Sequence, residues 1–141
     1  MHQLLGDLYG LVCNSGGPQE TPRARIERTM MMMSNNLSMH VSIHELAAIA
    51  NMSHAYYTQQ FKKHTGESPR GYFNKMKIAK ACEYLEKTGN KVETIAHLVG
   101  YEDSFYFCRL FKSVTGKTPT MYRQSRLELS TRMEANDSRH E

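Results

Sequence analysis

Residues 42–72 and 91–122 carry one pattern twice. The first copy reads SIHELAAIANMSHAYYTQQFKKHTGESPRGY and the second KVETIAHLVGYEDSFYFCRLFKSVTGKTPTMY. At an offset of 50 the pairs Tyr56/Tyr106, Phe61/Phe111, Lys62/Lys112, Thr65/Thr115, Gly66/Gly116, Pro69/Pro119 and Tyr72/Tyr122 are identical. Ahead of the turn the offset is 49, which pairs Ala47 with Ala96, so the second copy holds one more turn residue. Each copy reads as helix, tight turn, helix and then a third helix led by proline. A repeat that preserves turn and capping residues, and not only apolar spacing, restricts the chain to two helical units of like fold.

The boundaries are marked by capping chemistry. Ser42-Ile-His-Glu45 and Asn90-Lys-Val-Glu93 both have the cap-x-x-Glu form, in which cap side chain and Glu satisfy orphan amides reciprocally. Asn51 and Gly100 fall at the turns, where a left-handed backbone is tolerated by these residue types. Ser53 and Asp103 are placed to cap the second helices, which Gly66 and Gly116 end. Ser68-Pro69 and Thr118-Pro119 open the third helices. The first of these is long, with Tyr72, Met76, Ala79 and Cys82, flanked by Ile78 and Leu85, forming an apolar face that stops at Gly89.

Upstream, Thr21 and Pro22 predict another capped helix. Ile26, Met30, Met33 and Leu37 recur on it at helical spacing as one buried stripe. Of the methionines at 30–33, two should face the core, where an unbranched side chain fills irregular gaps. No stretch shows sustained apolar alternation, so the fold class is all-α: about seven helices in two helix-turn-helix subdomains (homeodomain-like units) joined by a long linker helix. Residues 21–126 form the domain, divided into a first unit (21–67), the linker helix (68–89) and a second unit (90–126). Residues 1–20 lie ahead of it, and their turn-rich NSGGPQE stretch reads as a linker. The polar stretch 127–141 reads as a flexible C-terminal tail.

The net charge of +4 is modest, but its distribution is uneven. From His54 to Lys80 there are six Lys or Arg against one acid, and from Arg109 to Arg126 five and none. Such stretches suit a polyanion. Cys13, Cys82 and Cys108 form no CxxC pair, which argues against structural zinc and a disulfide framework and fits a reducing cytoplasm. His40 and His44 are four apart, but the Ser42 cap between them keeps them off a common helical face. No metal and no cofactor are expected. No apolar run approaches the ~20 residues that span a bilayer, and no leader pattern is present.

With Tyr57 and Phe61 buried, 100° per residue turns Ala55, Gln59 and Lys62 to the opposite face of the first copy's second helix, with Thr58 at its edge. In the second copy Phe107 and Phe111 take the buried side, and Phe105, Arg109 and Lys112 turn outward with Ser104 and Tyr106 on the flanks. Gln and Arg are the side chains that grip adenine and guanine edges bidentately in the major groove. The amide end at Ser53, with Lys62, Lys63 and Lys112, is suited to phosphate.

On the motifs Ile43–Ala50 (IHELAAIA), Phe61-Lys62-Lys63-x-x-Gly66-x-Ser68-Pro69, Ile95-Ala96, Val99-Gly100-Tyr101, Asp103 to Lys112, and Gly116-x-Thr118-Pro119-x-x-Tyr122-Arg123, the stretch 42–124 resembles the paired helix-turn-helix domain of the AraC/XylS family of bacterial transcription regulators. The resemblance implies sequence-specific binding of double-stranded DNA, with both second helices entering successive major grooves. It implies base-facing roles for Ala55, Thr58, Gln59, Ser104, Phe105, Tyr106 and Arg109. It also implies an activator that contacts RNA polymerase, with effector binding and dimerisation in a preceding domain, of which residues 1–20 would be the residual segment and linker. Gln59 stands where the family often has Arg, Phe105 where it often has a small or polar residue, and Gln60 where an apolar one is usual.

Three other readings compete. An enzyme lacks support, since no P-loop, dinucleotide turn or nucleophile–base arrangement appears in context. A helical protein-interaction adaptor could use Phe105 and Tyr106, and a non-specific architectural DNA binder could use the same basic helices. Salt-sensitive duplex binding separates the adaptor from the family reading, and preference among duplexes separates the architectural binder.

Overall fold

Thr21 accepts a hydrogen bond from the Ala24 amide (3.2 Å) through its hydroxyl and starts helix α1, Pro22–Asn35, in the computed structural model, which describes residues 20–139. Six more helices follow among the described residues: α2 Ile43–Ile49, α3 His54–Thr65, α4 Pro69–Lys87, α5 Val92–Leu98, α6 Ser104–Thr115 and α7 Pro119–Asp137. No strand occurs among those residues, as the all-α reading expects. The expected residual segment at 1–20 lies outside the described residues apart from Glu20.

The two turns are closed alike. Met52 N donates to Ala47 O (2.9 Å) and Asn51 N to Ala48 O (3.0 Å), with Asn51 at φ +55°. Tyr101 N donates to Ala96 O (2.9 Å) and Gly100 N to His97 O (3.0 Å), with Gly100 at φ +88°. This paired bonding past a left-handed residue satisfies carbonyls that the helix end leaves open. Gly100 has a second reason to lack a side chain: a Cβ there would lie 3.0 Å from Leu37 O and 3.1 Å from Lys77 Nζ. The extra turn residue of the second copy is Glu102. Ser53 and Asp103 cap α3 and α6 as expected, and Gly66 and Gly116 end them at φ +85° and +84°.

One cap differs. Ser42 and Glu45 form the reciprocal box at 3.1 Å each way, but α5 starts at Val92 with Lys91 at its cap and no side-chain bond there. Asn90 is one residue too early. The 49-residue offset that holds before the turn pairs Ser42 with Lys91, and it outweighs the local cap-x-x-Glu spelling. Lys91 has the extended cap backbone (φ −64°, ψ 149°), so Lys91→Ser should add ~0.5–1 kcal/mol of stability. Urea unfolding of both proteins checks this, and an unchanged midpoint would contradict it.

The helices sort into two units, 20–36 with 41–72 and 37–40 with 73–139, and the division falls inside α4. In the first, α1 and α2 pack on α3. Its core holds Ile26, Met33, Leu46, Ala47, Tyr57 and Phe61. The α1 stripe is narrower than expected. Leu37 lies beyond the helix end, Met33 alone of the four methionines is fully buried, Met30 and Met32 are half-buried and Met31 is exposed. Thr29 is buried instead, donating to Ile26 O (2.7 Å) and accepting from the Tyr57 hydroxyl (2.8 Å). That pairing is what makes two polar groups tolerable in the core, and burial pushes the Tyr57 phenol pKa up.

In the second unit Ile78, Ala81 and Leu85 of α4 join Ile95, Ala96, Val99, Tyr101, Phe107 and Phe111. The buried face of α4 is therefore turned from the expected one: Ala79 is exposed, Tyr72, Met76 and Cys82 are half-buried, and Phe73 and Lys77 are buried. Lys77 hid this face from periodicity, because a lysine in the stripe reads as solvent. Its ammonium lies 4.5 Å from the Phe73 ring centre and 5.0 Å from that of Tyr101, and burial pushes its pKa down. The aromatic packing repeats between units: Phe61 meets Tyr72 edge-on at 5.3 Å, and Phe111 meets Tyr122 edge-on at 5.6 Å. The last helix does not stop near 126. Residues 127–137 hold Leu, Glu, Arg, Met and Ala with no Gly or Pro, so nothing breaks α7, although this stretch is wholly exposed.

Candidate nucleic-acid interface

The geometry of the second helices follows from their buried aromatic pairs. Tyr57 and Phe61 on α3, and Phe107 and Phe111 on α6, have no accessible surface. With that side fixed inward, Ala55, Gln59, Lys62 and Lys63 of α3 are exposed, as are Phe105, Arg109 and Lys112 of α6. Of the seven residues expected to face bases, Ala55, Gln59, Phe105 and Arg109 therefore lie on the open faces. Three members are less free than the wheel suggests. Thr58 is half-buried and its hydroxyl donates to His54 O (2.9 Å), Ser104 is half-buried, and Tyr106 leans on the Tyr101 ring at 6.0 Å.

The two helix starts differ electrostatically. Ser53 holds the Tyr56 amide (3.2 Å) through a neutral hydroxyl, which still has a proton to donate. The Asp103 carboxylate accepts from both Phe105 N (2.9 Å) and Tyr106 N (3.3 Å), so α6 starts with its amides already facing an anion. The start of α3 is therefore capped by a neutral group and that of α6 by a fixed negative charge, which opposes a second anion there. His54, the first residue of α3, is an exposed neighbour that spacing did not single out; its ring stacks on His44 at 4.3 Å. That contact joins two helices, so no one-helix pattern contains it.

Several basic residues of the charge stretches are engaged elsewhere. Arg123 donates to Leu85 O (3.1 Å) and Thr88 O (3.2 Å). Arg126 pairs with Glu86 (3.1 Å) and Lys80 with Glu83 (3.0 Å). Tyr122 donates to Glu86 at 2.6 Å, and its pKa is pushed up to about 12, first by desolvation and then by that carboxylate. Among the described residues no cluster of three or more His, Cys, Asp or Glu could hold a metal ion, and no helix is long and apolar enough to cross a membrane.

Two turns closed by the same bonds, each followed by a capped helix with a buried aromatic pair and a polar outer face, define a helix-turn-helix protein. A family model described as a helix-turn-helix domain matches residues 46–125. The MmsAB operon regulatory protein of Pseudomonas aeruginosa is 37% identical over 92 residues, 65% of this chain and 30% of that protein. The HTH-type transcriptional activator Btr of Bacillus subtilis is 34% identical over 103 residues, 73% of this chain and 20% of its own length. Among solved structures, the C-terminal domain of AraT, a response regulator from Geobacillus stearothermophilus, matches with a TM-score of 0.70 at 28% identity, over 72% of this chain and 85% of that domain. The chain belongs to the AraC/XylS family of helix-turn-helix regulators. It spans roughly a third or less of the length of the first curated relatives it matches.

Proposed function

We propose that this chain is the DNA-binding part of a bacterial transcription regulator, and that it binds double-stranded DNA sequence-specifically by placing α3 and α6 in successive major grooves. The observation that carries the reading is the repeated open face: on both helices the side opposite a buried aromatic pair presents a bidentate hydrogen-bonding side chain, Gln59 or Arg109, with lysines beside it. Ala55, Thr58, Gln59, Ser104, Phe105, Tyr106 and Arg109 are the proposed base-facing set, and Ser53, Lys62, Lys63 and Lys112 the proposed phosphate contacts. The regulator acts as an activator that touches RNA polymerase in the cytoplasm, performs no chemistry of its own, and takes its effector and dimer contacts from a domain ahead of residue 21. The name of the relative Btr as a transcriptional activator supports the sign of regulation.

Arg109 and Lys112 separate reading from gripping. Arg109→Ala should cost ~1–3 kcal/mol on a preferred duplex and relax preference at one or two base pairs. Lys112→Ala should weaken preferred and scrambled duplexes alike and flatten the salt dependence by about one phosphate. Competition between the two duplexes, with melting of each variant checked first, measures both. Equal loss of both duplexes in Arg109→Ala would make Arg109 a phosphate clamp.

A further inference from the structure

The least expected side chain on the α6 face is Phe105. It is 82% exposed, more than any other exposed large apolar residue among the described residues. Its chemistry differs from that of its counterpart: the 50-residue offset puts Ala55 at this position in the first unit. The ring sits on the second residue of α6, at the helix end from which helix-turn-helix readers reach base edges. Its own amide is held by Asp103, so this end carries a fixed anion that turns phosphates away. One turn further, about 6 Å along the axis, Arg109 is exposed on the same face.

A benzyl ring has no hydrogen-bonding group and cannot use the donors and acceptors of a base edge. In the major groove only thymine offers an apolar group, its C5-methyl. Resting on the DNA-binding reading above, we propose that Phe105 is a specificity-determining residue that packs on a thymine methyl, beside the guanine held by Arg109. The second unit then reads a T·A pair by shape and a neighbouring G·C pair by hydrogen bonds. The first unit, with Ala55 and Gln59, reads with less apolar surface.

Replacement of thymine by deoxyuracil tests this, because it removes the methyl and leaves every hydrogen-bonding group in place. The probe is a duplex selected by the full chain from a random pool, resynthesised with one thymine at a time replaced. At one position, near the base pair where Arg109→Ala relaxes preference, the wild-type chain should bind roughly fourfold more weakly, the factor expected for one buried methyl-sized group. Phe105→Ala should bind the thymine and uracil duplexes equally there, with its melting temperature unchanged because the ring is exposed. A preferred duplex that is indifferent to uracil at every position, or a Phe105→Ala variant with undiminished sensitivity, overturns the inference and leaves the DNA-binding reading intact. Phe105→Ala binding that duplex as well as the wild type does would likewise overturn the inference. Failure to select any preferred duplex overturns both.

Discussion

Raising monovalent salt from 50 to 200 mM should weaken duplex binding by roughly 10²- to 10³-fold. Each phosphate neutralised by Lys or Arg releases counterions and contributes about −0.9 to the log–log slope. Charge counting alone overstates the number of contacts available. Lys77 is buried, Lys80 and Arg126 are paired with carboxylates, and Arg123 is spent on backbone carbonyls. Lys62, Lys63, Arg70, Lys75, Arg109, Lys112 and Lys117 stay exposed; with Arg109 assigned to a base, the six lysines and arginines left set the expected slope at roughly −4 to −5. Titration of one duplex at several salt concentrations reads it directly. A slope near zero would remove DNA as the main partner.

Phe111→Ala should destabilise the second unit by ~3–5 kcal/mol. The ring is fully buried, 5.8 Å from Phe107 and edge-on to Tyr122 at 5.6 Å, in the cluster that also holds Ile78, Ala81 and Leu85. Small domains have only about 5–15 kcal/mol of stability in total, so this one truncation removes a large share. Phe105→Ala, six positions before Phe111 on the same helix yet on the open face, should change stability by less than ~0.5 kcal/mol. Urea unfolding of the two variants beside the wild type tests the assignment of faces on α6. Similar losses for both would mean that the burial pattern is wrong.

What the sequence made legible is what depends on neighbours in the chain. The Ser42–Glu45 box, the Ser53 and Asp103 caps, the left-handed Asn51, Gly66, Gly100 and Gly116, and the proline starts are all short-range chemistry, and the structure has each of them. The open faces of α3 and α6 were legible for the same reason, because one buried aromatic pair sets the phase of a 12-residue helix. Features that need a partner from elsewhere were not. The buried lysine of α4 depends on rings at 73 and 101, the buried Thr29 on the Tyr57 hydroxyl, and the tilt of Tyr106 on Tyr101. Asn90 misled because a local cap spelling competed with the repeat register, and the register prevailed.

Selection of duplexes from a random pool by the full chain, followed by competition of the selected duplex against its scrambled order, tests sequence-specific binding most directly. An enriched, non-palindromic site is expected, since the reading sets of α3 and α6 differ, with a preference over the scrambled duplex on the order of 10³ at physiological salt. A pool that stays unenriched, or equal binding of the selected and scrambled duplexes, would contradict it.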